Sequence, residues 1–194
     1  MKIVVCEGQD DQAVIKGLCD FAGIADIAVE HCAGRTNLER FLSEMPKRPE
    51  FTRGEVESVA VIIDAEEEAA GSWQKIVNAV KQSFQITLVK AGDFSTGSPK
   101  IGGYIVGRDG GKGMIEDLCL EAVSEQPGYA CLLDYFKCLA EKTGRTDHLA
   151  KARFRAWMAS QSDFDLRVGK AAEKGHLPWG NKAFDPLRAF LRKL

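Results

Sequence analysis

The chain is poor in the residues that usually mark a familiar catalytic class. Its three histidines, His31, His148 and His176, stand far apart, which removes the ligand spacing of a zinc site and any support for a histidine-based triad. Six cysteines, Cys6, Cys19, Cys32, Cys119, Cys131 and Cys138, make no C-x-x-C pair. Several fall on apolar stripes, so they are expected to be buried, reduced thiols. No apolar run is long enough to cross a bilayer, and the N-terminus enters a strand pattern with no signal-peptide core. A cytoplasmic protein with no membrane partner is expected. The glycines at 102–113 do not spell a phosphate-binding G-x-x-x-x-G-K-[ST] loop or a dinucleotide fingerprint.

Net charge is also small, −2 over 194 residues, but it is unevenly placed. Residues 137–194 carry 13 Lys/Arg against 6 Asp/Glu, whereas residues 1–136 carry 13 against 22. An acidic first part followed by a basic tail suits a metal-dependent enzyme acting on a polyanion; an ordinary solvated helical surface gives the same count.

Apolar periodicity supplies the fold class. Strand patterns at 2–6, 25–32, 56–63 and 85–90 alternate with helical patterns at 12–23, 37–45 and 72–84, which predicts an α/β fold with a mostly parallel central sheet and right-handed crossovers. Residues 46–54 read as a charged, proline-containing loop. The glycine-rich stretch 91–113 reads as a mobile loop around a last strand at 104–106, and helical patterning follows at 114–123, 129–141, 148–159 and 185–194. Gln126-Pro127-Gly128 marks a weak boundary. The expected organisation is an α/β domain over 1–126 and a helical extension over 127–194 packed on it, or a single domain.

Two acidic stretches end strand patterns. Glu7-Gly8-Gln9-Asp10-Asp11 follows the first, and Asp64-Ala65-Glu66-Glu67-Glu68 follows the third. In an open α/β sheet the carboxyl ends of parallel strands line one ligand-binding edge, so these acids can meet there. Gly8 permits a sharp turn, Glu7 projects from the strand end, and Asp11 sits on the first helical turn, where the helix dipole favours its charge. Asp10 or Asp11 can equally serve as a helix cap, and Glu7 as a solvated strand end. Asp64, Glu66 and Glu68 alternate, so an extended continuation would turn them to one side. Three like charges there repel unless a cation neutralises them, and hard oxygen ligands suit magnesium or manganese. Glu67 and Glu68 can also belong to the acidic first turn of the next helix.

Together these residues resemble the Toprim domain, the metal-binding module of topoisomerases, bacterial primases and OLD-family nucleases, with its strand-end E-G-x-x-D and later D-x-D-x-D. The resemblance covers about residues 1–123 and implies a Rossmann-like Toprim fold. It gives Glu7 an acid/base or metal-binding role, Asp11 the role of the second acid, and Asp64 that of the first acid of the later motif. Glu66 and Glu68 stand where aspartates are usual, which keeps the charge and lengthens each arm by one methylene. Gly113-Met114-Ile115-Glu116-Asp117-Leu118 resembles the G-x-x-E-D-L segment of small stand-alone Toprim-like bacterial proteins, which makes Glu116 and Asp117 further candidate metal ligands; an acidic first helical turn is the other reading. Lys112 could neutralise a phosphate in the transition state, or be a solvated loop lysine.

A receiver-like phosphoacceptor domain shares the strand-end acids, but the glutamate before Gly8 and the Asp-x-Glu-x-Glu run argue against it. The expected function is a magnesium- or manganese-dependent phosphoryl-transfer enzyme, a nuclease hydrolysing phosphodiesters, with Lys151, Arg153 and Arg155 holding nucleic acid. The alternative is a catalytically weakened Toprim-like module that binds nucleic acid or a partner protein.

Overall fold

The computed structural model describes residues 1–107, 111–144, 149–161 and 167–194. Its centre is a four-stranded, all-parallel sheet in the order β2-β1-β3-β4, formed by β1 (Lys2–Cys6), β2 (Ile27–His31), β3 (Ser58–Asp64) and β4 (Lys100–Val106). Helices α1 (Gln9–Phe21), α2 (Leu38–Glu44), α3 (Pro49–Thr52) and α4 (Ala69–Phe84) lie between the strands in sequence. The helices α5 (Ile115–Ala122), α6 (Tyr129–Thr143), α7 (Leu149–Ala159), α8 (Val168–Glu173) and α9 (Asp185–Leu191) follow β4.

Side chains alternate across the pleat, so each buried strand serves two cores. Ile3, Val5, Val59, Val61 and Ile63 face one way and pack with Leu38 and Leu42 of α2 and with Ile76 and Val80 of α4. Val4, Cys6, Ala60 and Ile62 face the other way and share a cluster with Val14 and Leu18 of α1, Cys119 of α5 and the later residues Phe154, Trp157, Phe184 and Phe190. The C-terminal helices thus belong to the same apolar core as α1. Their approach to α1 is close: a Cβ added at Gly17 would fall 2.5 Å from the Trp179 ring, and one at Gly169 would fall 2.6 Å from Asp10 Oδ1. Among the described residues no helix is long and apolar enough to cross a membrane.

Three local expectations need correction. Residues 85–90 form no strand, because Gln85 leaves α4 in the left-handed conformation (φ 60°) and β4 takes the place beside β3. The alternation of Ile86 and Leu88 comes from a loop packed on the core. The last strand begins earlier than expected, at Lys100, so Gly102 and Gly103 lie inside it. Their missing side chains make room for Phe94 on one face and Trp73 with Ile76 on the other, each 2.7–2.9 Å from where a Cβ would stand. The segment 46–54 is not a simple loop: Met45–Lys47 is a 3-10 turn and Pro49 opens α3. Helix α8, too short to display a full apolar repeat, went unforeseen. His148, expected to open a helix, lies outside the described residues; α7 begins at Leu149.

Candidate metal centre at the carboxyl edge of the sheet

Strand order reverses direction between β1 and β3, the place where an open parallel sheet leaves a crevice at its carboxyl edge. Glu7 is the first residue beyond β1 and Asp64 is the last of β3. They are tied directly: the backbone N–H of Asp64 donates to Glu7 Oε1 at 3.1 Å. Asp11 is the third residue of α1, and its Oδ2 accepts from the backbone N–H of Gly8 at 2.9 Å, the capping contact that was the other reading of it, while Asp11 also lines the cleft. Asp64 Oδ1 accepts from the backbone N–H of Ile115 at 2.9 Å, which fixes the start of α5 against the end of β3. The next residue on α5, Glu116, is only 8% exposed, and its Oε2 is buried with no hydrogen-bond partner. Gly8, Asp10, Asp11, Asp64, Ile115, Glu116, Lys151 and Arg167 line a cleft of about 320 Å³.

Four crowded carboxyls result, and each titrates above its ordinary range. Burial is the first cause for Glu7, Asp11, Asp64 and Glu116 alike. Asp64 is raised furthest in character, well above the usual carboxylate value, by burial and then by the charges of Asp11, Glu7 and Glu116. Lys151 opposes the shift at Asp11 and Glu116. Burial also pushes up the thiols behind the site, with Cys19 raised to about 12 and Cys6 and Cys119 raised as well, so these cysteines stay protonated. The expectation of buried thiols fails for Cys131 and Cys138, which are exposed on α6, a helix with Phe136 as its one buried residue.

The remaining candidates are placed elsewhere. Glu66 takes a left-handed backbone (φ 52°) and pairs through both backbone groups with Gly113, at 2.8 and 3.0 Å. Its carboxylate lies 2.8 Å from Arg35. The extended continuation that would have turned Glu66 and Glu68 beside Asp64 is therefore broken, and Glu68 is exposed at the start of α4. Lys112 pairs with Glu67 at 2.7 Å in solvent. Asp117, in the acidic first turn of α5 that was the other reading of it, accepts from the backbone N–H of Met114 at 3.1 Å. Lys151 lines the cleft and Arg155 a small adjoining cavity with Asp10 and Arg167. Arg153 turns the other way, over the Phe136 ring at 5.8 Å.

Sequence reasoning missed Arg35, Arg167 and the second use of Asp10, whose Oδ1 accepts from the backbone N–H of Gly169. Arg35 follows Gly34 soon after β2, so its strand-end position was a usable signal. Arg167 is brought to the cleft by α8, which carried none.

Among the described residues no three His, Cys, Asp or Glu side chains are gathered closely enough to ring a metal ion. A zinc cage or an all-protein calcium cage does not fit that arrangement. Magnesium does fit, since it keeps several waters and takes one or two carboxylates together with substrate phosphates. The unpartnered Glu116 oxygen beside the hard carboxylate of Asp64 is the donor chemistry it needs.

The architecture and the cleft define an α/β protein with an acidic crevice at the carboxyl edge of a parallel sheet. The chain belongs to the family described as "Protein of unknown function (DUF3226)", which matches residues 1–194. No curated protein matches it. Two solved structures of the C-terminal region of the Xanthomonas campestris pv. campestris OLD protein, phased with platinum and with mercury, are similar at a TM-score of 0.41 each. They are 10% and 11% identical, and the match covers 100% of this chain and 83% and 85% of theirs.

Proposed function

We propose that this protein is a Toprim-like, magnesium- or manganese-dependent phosphoryl-transfer enzyme, a nuclease that hydrolyses nucleic-acid phosphodiesters. One observation carries the reading: four carboxyls with raised pKa values, the half-buried Glu7, Asp11 and Asp64 and the buried Glu116, stand at the carboxyl edge of the sheet, where Asp11, Asp64 and Glu116 line one cleft with the cations Lys151 and Arg167. Protein folds rarely keep such like-charged groups together without a use for them.

Asp64 and Glu116 would hold the ion, with water and substrate phosphate filling its remaining positions. A bound divalent ion supplies charge neutralisation at the phosphate and lowers the pKa of water. Glu7, which stands at the end of β1 against Asp64 with its carboxyl raised by burial, would accept a proton from the attacking water. Lys151, opposite Glu116, would meet the phosphate backbone, and Arg155 would extend that contact along α7. Purified protein incubated with single- and double-stranded DNA and RNA should release fragments in manganese or magnesium, and neither in EDTA nor as Asp64→Ala. Intact substrates in every condition would overturn the reading.

A second reading has its own support. Glu66 is held by Arg35 and Lys112 by Glu67, so two groups expected at the reaction centre have other partners. A catalytically weakened module that binds nucleic acid would bind these substrates tightly in EDTA and cleave none.

A further inference from the structure

Arg35 is placed where the later acidic motif was expected to be. It leaves a 3-10 turn (Arg35–Asn37) just after β2, and its side chain is 20% exposed. Nη2 donates to the hydroxyl of Ser72, and that fully buried hydroxyl donates in turn to the carbonyl of Ala65 at 3.0 Å. Nη1 lies 2.8 Å from Glu66 Oε2, a charge contact without hydrogen-bond alignment, and this nitrogen is buried with no hydrogen-bond partner. The guanidinium is also close enough to Glu7 to favour its ionised form. Both anchors, Ala65 and Glu66, directly follow Asp64.

Holding Glu66 in that place has a conformational cost. A non-glycine residue at φ 52° is strained, and here the paired hydrogen bonds to Gly113 enforce it. Strain of this kind persists when the surroundings over-determine it, and it turns the Glu66 carboxylate to Arg35. A lysine could not reproduce the arrangement, because only a planar fork can bond Ser72, face Glu66 and keep further N–H groups in a fixed direction.

We infer that Arg35 is a catalytic residue that donates to the non-bridging oxygens of a phosphate held at the Glu7–Asp64 edge, and that Glu66 is its positioning residue rather than a metal ligand. The ligand class is a phosphate mono- or diester presented to the ion from the β2 side. A guanidinium fixed before the reaction stabilises the charge that develops on the equatorial oxygens at no reorganisation cost. The guanidinium N–H groups not committed to Ser72 or facing Glu66 would meet the anion, and Glu66 would keep the fork in plane.

The inference rests on the phosphoryl-transfer reading, and its test separates the two. Binding of manganese alone, and then of inorganic phosphate to the manganese-loaded protein, is measured by calorimetry for wild type, Arg35→Ala, Arg35→Lys, Glu66→Gln and Asp64→Asn. Arg35→Ala should weaken phosphate binding about 10-fold, since a charge-assisted hydrogen bond is lost, and leave manganese affinity within a factor of about 3. Arg35→Lys should recover part of the phosphate affinity. On any nucleic-acid substrate the wild type cleaves, Arg35→Ala and Arg35→Lys should both lower kcat about 100-fold or more, because a point charge does not replace the fork. Glu66→Gln should lower kcat with manganese affinity unchanged, whereas Asp64→Asn should lose manganese.

Two results would overturn the inference. One is phosphate affinity unaltered in Arg35→Ala; the other is a loss of manganese affinity in Glu66→Gln as large as in Asp64→Asn. If Arg35→Ala fails to fold, Glu66→Gln and Arg35→Lys decide the matter. A wild type that binds manganese and phosphate but cleaves no nucleic acid would end the nuclease reading and leave Arg35 as the anion site.

Discussion

The two acidic turns look alike in sequence and have been built for opposite ends. In the first, Glu7 and Asp11 are both half-buried and raised in pKa, and their hydrogen-bond partners are backbone N–H groups. In the second, only Asp64 is kept that way, whereas Glu66 and Glu67 have found cations in Arg35 and Lys112. A carboxylate in direct contact with a protein cation is satisfied; one whose upward shift from burial and neighbouring carboxylates is only partly offset, by Arg35 at Glu7 and by Lys151 at Asp11 and Glu116, remains available to an ion from solution. The unpaired set, Glu7, Asp11, Asp64 and Glu116, is where repulsion is left unrelieved.

Removing the most crowded member should break the contrast most completely. Asp64→Asn is expected to abolish hydrolysis and the response to manganese, while raising the melting temperature of the metal-free protein. Each kcal/mol of relieved repulsion corresponds to about 2–4 °C in a domain of this size. Scanning calorimetry in EDTA checks the second half; a lower melting temperature than wild type would mean that Asp64 is held for its bond to Ile115 and not against its neighbours. The matching change in the paired set, Glu66→Gln, should leave the manganese response intact.

Much of this arrangement was legible in the residues. Glu7, Asp11 and Asp64 could be placed at one sheet edge because a parallel strand exposes its last residue there, and no long-range information was needed. Glu66 and Glu68 were misplaced for a physical reason: alternation has meaning only while the chain stays extended, and the bridge from Glu66 to Gly113 turns it left-handed after Ala65. Gly102 and Gly103 were taken for flexibility when they make space for Phe94, Trp73 and Ile76, partners that no local pattern identifies. Glu116 and Asp117 form one acidic pair in sequence, yet the structure parts them: Glu116 lines the cleft and Asp117 bonds the backbone of Met114.

A smaller effect comes from supplying the ion itself. Manganese or magnesium binding only to the folded state stabilises by mass action, and at about 100 times the dissociation constant the gain is about 2.7 kcal/mol, or roughly 5–10 °C. Identical melting curves in EDTA and in millimolar manganese would place the unpaired acids on the same footing as the paired ones.

The pH dependence should show the same division more gently. The folded-state pKa values of Glu7, Asp11, Asp64 and Glu116 are raised above those of the unfolded chain, about 4. Their protons are therefore held more tightly in the fold. This contribution is full below the unfolded values and is lost as pH rises through the folded ones. In EDTA the melting temperature should be higher at pH 5 than at pH 7.5 by more in wild type than in Asp64→Asn, and manganese should shrink the difference. An equal slope in both proteins would assign the dependence to other groups.

The least effect is expected where the comparison predicts satisfaction. Glu67 is lowered in pKa by its hydrogen bond to Lys112, and Lys112 is raised by the same contact, but both side chains stand in solvent. Exposed ion pairs are screened by salt and spend side-chain entropy to form. Glu67→Ala and Lys112→Ala should melt with the wild type and take up manganese as it does. Lys112→Ala has a further consequence, because Lys112 was also a candidate for the transition-state cation. With its ammonium committed to Glu67 on the outer side of the Glu66–Gly113 bridge, its removal should leave kcat within a factor of about 3, against the far larger loss expected for Arg35→Ala. A collapse of kcat in Lys112→Ala with manganese binding preserved would instead bring the glycine loop to the phosphate, and the division between paired and unpaired residues would then not follow the division between structure and chemistry.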